Sequence, residues 1–140
     1  MIRTILAVTT TVALGGTAVT GAAEAAGACD AIADALPDSA FVVATDPGAG
    51  AIVHPGFAVS GCSRSFEGTV NWRLLGRDGG VLAEGFTSGG GADGPAPFAF
   101  TVAFEVQATQ IGHLEVFEID ASDGEGFPPG RTVLPLVLSP

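Results

Sequence analysis

The sequence predicts an all-β domain, most simply a β-sandwich of about seven short strands, preceded by a leader and a short helical segment. Three observations carry this expectation. Apolar residues alternate with polar ones, most cleanly at Phe98, Phe100, Val102, Phe104 and Val106. That is the two-residue period of a strand with one buried face. Turn-forming residues separate the apolar runs, with 21 Gly and 9 Pro in a chain of 140. No long stretch carries the wider apolar spacing of an amphipathic helix.

Met1 to Ala25 reads as a secretory signal peptide. Arg3 gives the positive start, Ile5 to Val19 is apolar and uncharged, and Ala23-Glu24-Ala25 fits the small-x-small pattern of a peptidase site. Cleavage is expected after Ala25, with Ala23 as the other choice. The apolar run is short for a bilayer span, which takes about 20 residues. A lipid on Cys29 would need a large aliphatic residue upstream, where the chain has Ala26-Gly27-Ala28. Residues 26–40 then form an N-terminal segment and 41–140 the sandwich.

Within that segment, Asp30 to Leu36 suits a helical turn or two, capped by Asp30 and ended by Pro37. Phe41 to Thr45 is β-rich and stops at Asp46-Pro47-Gly48. Ala51 to Val53 is a short extended piece, and Gly56 to Cys62 alternates with Phe57 and Val59 on one face. In Gly68 to Leu75, Val70, Trp72 and Leu74 point inward and Asn71 and Arg73 outward. Gly76-Arg77-Asp78-Gly79-Gly80 is a hairpin turn, since Asp-Gly tolerates positive φ. Val81 to Thr87 returns beside it. Ser88 to Pro97 is a Gly-rich loop with nothing to bury. Gly112 to Asp120 is a further strand whose apolar phase shifts from Leu114 and Val116 to Phe117 and Ile119, calling for a bulge or a two-sided strand. After a polar loop, Ala121 to Gly130, the strand Arg131 to Leu138 closes the chain. Two one-sided sheets bury their apolar faces on each other, which makes a sandwich the natural solution and a small barrel the alternative.

Composition narrows the function. The chain carries 15 acidic residues against 5 Arg and no Lys, a formal charge of -10. Such a surface disfavours nucleic acid and anionic lipid, because phosphate recognition runs on Lys and Arg. Two cysteines, Cys29 and Cys62, remain after processing, and in an exported protein they are expected to pair. The loop so closed, about 34 residues, is worth about 3–4 kcal/mol by the chain-entropy model. A reactive thiol or two free thiols are the rival readings. No spacing ties His54 or His113 to either cysteine to lower its pKa. The parity of Phe57 and Val59 against Cys62 turns Cys62 away from the packed face. A bridge would then staple the N-terminal segment over an outer face or edge.

The punctuation follows a recognisable order: Pro47-x-x-Gly50, Val53-x-Pro55, Val59-x-Gly61, Phe66-Glu67-Gly68, Arg77-Asp78-Gly79, Pro97-Phe98, and Gly112-x-Leu114-x-Val116-Phe117 with Asp123-Gly124. This resembles the bacterial immunoglobulin-like domain associated with spore-germination proteins, the second of the Gmad modules. The resemblance covers about Phe41 to Leu138, and its most specific piece is Gly61 to Gly68. It implies an immunoglobulin-like fold in the cell envelope and a binding or assembly role, with no catalytic residues to carry over. Cys62 stands where the family usually has a small aliphatic residue.

Physical roles for Phe66-Glu67-Gly68 follow from the residues themselves. Gly68 permits a bend into the next strand, Phe66 would plug the end of the sandwich, and Glu67 would accept loop amides or contact a ligand. The expected chemistry is otherwise sparse. Gly61-Cys62-Ser63-Arg64-Ser65 fails the nucleophile-elbow pattern at its last position, and no zinc motif is present. Asp120, Asp123 and Glu125 are the one calcium candidate, but the order of alternating acids with a distal Glu is missing, and a solvated turn selects the same residues. The expectation is therefore an exported, non-catalytic module without cofactor, binding an envelope protein or polymer. The alternatives are a secreted enzyme or enzyme inhibitor on the same scaffold, and a calcium-stabilised adhesive module.

Overall fold

A computed structural model describes residues 20–126 and 128–140. Most of the expected leader, residues 1–19, lies outside the described residues. The described residues form one helix, α1 (Thr20–Ala35), and then eight strands: β1 (Phe41–Asp46), β2 (Ile52–Val53), β3 (Phe57–Arg64), β4 (Thr69–Leu75), β5 (Val81–Ser88), β6 (Ala96–Val102), β7 (Gln110–Phe117) and β8 (Arg131–Leu138). The strand beyond the expected seven is the two-residue β2.

The strands make two sheets, β1-β3-β6 and β2-β8-β7-β4-β5. All neighbours are antiparallel except β2, which runs parallel to β8. The chain thus starts in the smaller sheet and leaves it at Pro47 to add an edge strand to the larger one. Pro135 lies in β8, and its carbonyl accepts from Gly50 N at 2.7 Å just before β2 begins. Its missing N–H faces a side where the sheet has no full-length partner, as a strand proline requires.

The core follows the expected alternation. Val59, Val70, Val102, Phe104 and Leu136 are buried together, with Trp72 and Phe100 packed against them and partly exposed. Trp72 and Phe100 stack across the sandwich with ring centroids 4.9 Å apart. Gly85 makes room for the indole, since a Cβ there would lie 2.7 Å from Trp72 Cζ2. Gly61 is equally demanded: a Cβ would sit 2.1 Å from the Val43 carbonyl oxygen and 2.5 Å from the Phe98 ring.

Four sequence expectations change. Helix α1 covers Thr20–Ala35, so Asp30 lies inside it and caps nothing. The Ala-rich stretch before it is a strong helix former, and the helix continues through the expected cleavage position. The stripe Phe98 to Val106 keeps its alternating burial, but the ladder ends at Val102. Phe104 and Val106 fill the base of the core from the segment that carries the chain to the other sheet, where Phe104 meets Phe57 edge-on at 6.0 Å. Between Gly112 and Asp120 there is no bulge: β7 keeps register, is covered on both faces from Leu114 to Val116, and stops at Phe117, so Ile119 lies beyond it; the register shifts lie at Ala44/Asp46 and Leu74/Leu75. Lastly, the Gly-rich segment after β5 is closely packed against the turn between β3 and β4.

Cys29 and Cys62 are joined, with Cα atoms 4.9 Å apart. The bridge lies on the outer face of the smaller sheet, in a second apolar cluster with Phe41, Val43 and Ile32. It therefore fastens α1 over that face instead of crossing the core as in antibody domains. The two open sides of the sandwich are each closed by a threonine. Thr132 Oγ1 of β8 donates to Val42 O at 2.8 Å and accepts from Ala44 N at 3.1 Å, and Thr87 Oγ1 of β5 donates to Ala99 O at 3.1 Å. Edge groups that could pair with another chain are thereby partly satisfied within this one.

Candidate functional site

The turn between β3 and β4 is held from beneath. Ser63 and Ser65 are buried polar residues, and the Gly-rich segment supplies their partners. Gly90 N donates to Ser63 Oγ at 3.2 Å, Ser65 N donates to Gly90 O at 2.9 Å, and Gly89 N donates to Gly68 O at 2.9 Å. Ser65 Oγ is within 3.3 Å of Thr69 O and 3.4 Å of Gly90 O. No side chain fits at this crossing, since a Cβ on Gly89 or Gly90 would come within 2.1 or 2.2 Å of Ser63 atoms. Gly68, at φ +67°, then makes the expected bend into β4.

Held in this way, the tip of the turn points into solvent. Phe66 is 76% exposed, so it does not plug the sandwich end. Glu67 is also exposed, and the carboxylate that serves this turn belongs to Glu118, whose Oε1 accepts from Phe66 N. Glu118 follows β7 directly, and its own N–H donates to Gly130 O at 3.0 Å.

Facing Phe66 is the loop between β7 and β8. Asp120 organises it: Oδ1 accepts from Ser122 N at 2.9 Å and Ser122 Oγ at 2.6 Å, and Oδ2 accepts from Gly124 N at 2.9 Å. The Ser122 hydroxyl and N–H, with the Gly124 N–H, hold the Asp120 carboxyl below its usual range and keep it ionised. Asp123 takes φ +53°, and Asp123 and Glu125 are exposed on the outside of the same loop. The three acids of the calcium candidate thus do not converge, and Asp120 spends its oxygens on its own loop. Among the described residues, no group of three or more His, Cys, Asp or Glu side chains is arranged to hold a metal ion.

Between these walls lies a groove of about 690 Å³. Its apolar surface comes from Phe66, Ile119, Ala40, Ala121, Pro128 and Pro129, and Asp38, Glu118 and Asp120 line it as well. The Asp38–Ala40 side is steadied by Arg64, whose Nη1 donates to Pro37 O at 2.8 Å. A second hollow of about 120 Å³ adjoins it, sharing Phe66, Glu118, Ile119 and Ala121 and adding Glu67, Thr69 and Asn71. Phe66 and Ile119, the latter 65% exposed, form the ridge between the two.

Two sequence candidates that lie far apart in the chain, Phe66-Glu67 and Asp120, therefore meet at one site. Glu118, Asp38, Ala40, Pro128 and Pro129 were not expected there. Ile119 had left a trace, as the apolar residue out of phase at the end of its strand. No residue in the groove pairs a nucleophile with a histidine base.

The family model for the immunoglobulin-like domain of bacterial spore germination, Gmad2, matches residues 41–125. No curated protein matches the chain. Among solved structures, it is similar to the crystal structure of CopC from Methylosinus trichosporium OB3b, at 19% identity and a TM-score of 0.46, over 73% of this chain and 95% of that one. The two-sheet architecture, the Gly61 to Gly68 turn and the family match agree: this chain belongs to the Gmad2 family of immunoglobulin-like domains.

Proposed function

We propose that the protein is an exported, non-catalytic binding or assembly module of the bacterial cell envelope, and that the groove beside Phe66 is its contact surface. The observation that carries this reading is the placement of Phe66. Phe66 is 76% exposed, as is Phe86 on β5, but Phe66 borders the groove, on a turn whose buried side-chain polar atoms all have partners. A rigidly presented aromatic beside an apolar groove is what a binding surface requires. No histidine lines the groove to activate the Ser39 or Ser122 hydroxyl, which favours a binder over a serine-type hydrolase. Export is supported by the leader pattern of Met1 to Ala25 and by the disulfide, which persists in oxidising compartments. Among the described residues, no helix is long and apolar enough to cross a membrane.

A single strain tests both parts. The chain is expressed whole, with a photo-crosslinking phenylalanine analogue at position 66 or, as control, at Val81 at the opposite end of the sandwich. Mass spectrometry of the exported form should place its N-terminus between Glu24 and Gly27. Irradiation should give a discrete adduct from position 66 and none from position 81. An intact Met1 on the mature protein would refute export, and equal adducts or none would refute the groove as the contact surface.

A further inference from the structure

The groove also constrains what it can hold. We propose that its occupant is an extended, basic and apolar segment of a partner protein, with Lys or Arg side chains interleaved with apolar ones. This inference rests on the binding reading above and adds the chemistry of the ligand. The apolar groove carries the inference, and the charges around it choose the occupant.

The shape favours a linear ligand. The larger groove and the smaller hollow share the Phe66–Ile119 ridge, so a chain seated in one continues over the ridge into the other. Alternate side chains of an extended segment would drop to either side, as they do in strand-like recognition.

The sign of the charge is uniform. Asp38, Glu118 and Asp120 line the groove and Glu67 lines the hollow, while no arginine lines either. The four arginines among the described residues lie outside both linings. Arg64 donates to Pro37 O, Arg73 and Arg131 pair with Glu115, and Arg77 lies in the hairpin turn at the far end. Arg64, on Pro37 O, stands beside the Asp38 wall, but the four carboxylates of the two linings outnumber it and leave the site acidic, and with a formal charge of -10 the long-range field has the same sign. Such a site repels phosphate polymers and draws in cations. The exposed Phe66 ring adds a face on which an ammonium or guanidinium can rest. This chain already uses that contact once, with Arg73 5.5 Å from the centre of the Phe117 ring. A neutral glycan could stack on Phe66 and donate hydroxyls to the carboxylates, but it gains nothing from their net charge, which only a cationic ligand uses.

The test uses the processed full domain and fluorescence anisotropy. The probes are three short capped peptides that alternate leucine with lysine, with serine or with glutamate, and a neutral chitin oligosaccharide. The lysine–leucine peptide should bind at least about tenfold more tightly than the serine or glutamate peptides, and its affinity should fall as salt is raised. Glu118→Gln keeps an oxygen acceptor for Phe66 N while removing the charge. It should weaken the lysine peptide several-fold without changing the melting temperature. Phe66→Ala should weaken it about tenfold, whereas Glu84→Gln on β5 should leave it unchanged. Equal binding of the three peptides, binding of the oligosaccharide alone, or no binding at all would overturn the inference. If an adduct still forms at position 66 in cells, only the ligand chemistry has failed and the groove remains the contact surface.

Discussion

Glu115 projects from β7 onto the outer face of the larger sheet, opposite Arg73 of β4 and Val133 of β8. Its carboxylate accepts from Arg73 Nε and, at 2.9 Å, from Arg131 Nη2. Burial pushes the carboxyl pKa up, but the hydrogen bond and charge of Arg73 and those of Arg131 outweigh it and hold it below the usual carboxylate range. A group whose pKa is lowered by folding stabilises the fold above its unfolded pKa, and that stability is lost as pH falls through the folded value. Acid titration of the wild type should therefore show a loss below the ordinary glutamate range that Glu115→Gln lacks. Because both arginines are about half in water, at 41% and 52% side-chain exposure, the substitution itself should cost only about 1 kcal/mol. Gly61→Ala belongs to another class. Its Cβ would meet backbone 2.1 Å away in the neighbouring strand, so denaturant unfolding should show a loss of about 3 kcal/mol or failure to fold. Trp72→Ala, which removes the indole from its stack on Phe100, should cost about 3 kcal/mol.

At the level of elements, α1 and the smaller sheet are coupled through the Cys29–Cys62 bridge and the contacts of Ile32 with Phe41 and Val43. This cluster lies on the opposite side of the sheet from the main core. Replacing both cysteines by serine should lower stability by about 3 kcal/mol, increase hydrogen exchange in α1, and leave the amides of β4 and β7 protected. Loss of the whole sandwich would show that the helix is part of the core and not a cover. The Thr132 bridge from β8 to β1 is a second coupling. Thr132→Val would leave Val42 O and Ala44 N without their partner, at a cost of about 1–3 kcal/mol.

For the molecule as a whole, the two ends of the sandwich differ. One end carries the Arg77-Asp78-Gly79 hairpin, closed on itself by Gly80 N donating to Asp78 Oδ1 at 3.0 Å. The other gathers the β3–β4 turn, the β7–β8 loop and the segment after α1 around the groove. The loop at this end is held by hydrogen bonds to Asp120, whose oxygens they occupy. Adding calcium or a chelator should therefore leave the melting temperature unchanged, because a ligand bound only by the folded state would raise it. A rise with calcium that disappears in Asp123→Asn would contradict that account of the loop.

Most strands, and the faces they bury, were legible in the order of the residues. Alternation is a local property, and Val70, Trp72 and Leu74 declare their inward face whatever they pack against. The same parity set Cys62 against Val59, which was enough to place the bridge outside the core. The punctuation from Pro47 to Gly124 was enough to identify the family. Tertiary structure alone decided the rest. Phe66 read as a plug because a phenylalanine beside a strand usually finds cover, and only the clamp of Gly89 and Gly90 on Ser63 and Ser65 holds it outward. The Gly-rich segment looked empty because a glycine packed against backbone leaves no apolar residue in the sequence to mark it. Glu118, Asp38 and Pro128 are far from Phe66 along the chain, and no local period encodes their meeting. The groove exists because strand order brings three loops to one end, and strand order is a property of the packed sheets rather than of any segment within them.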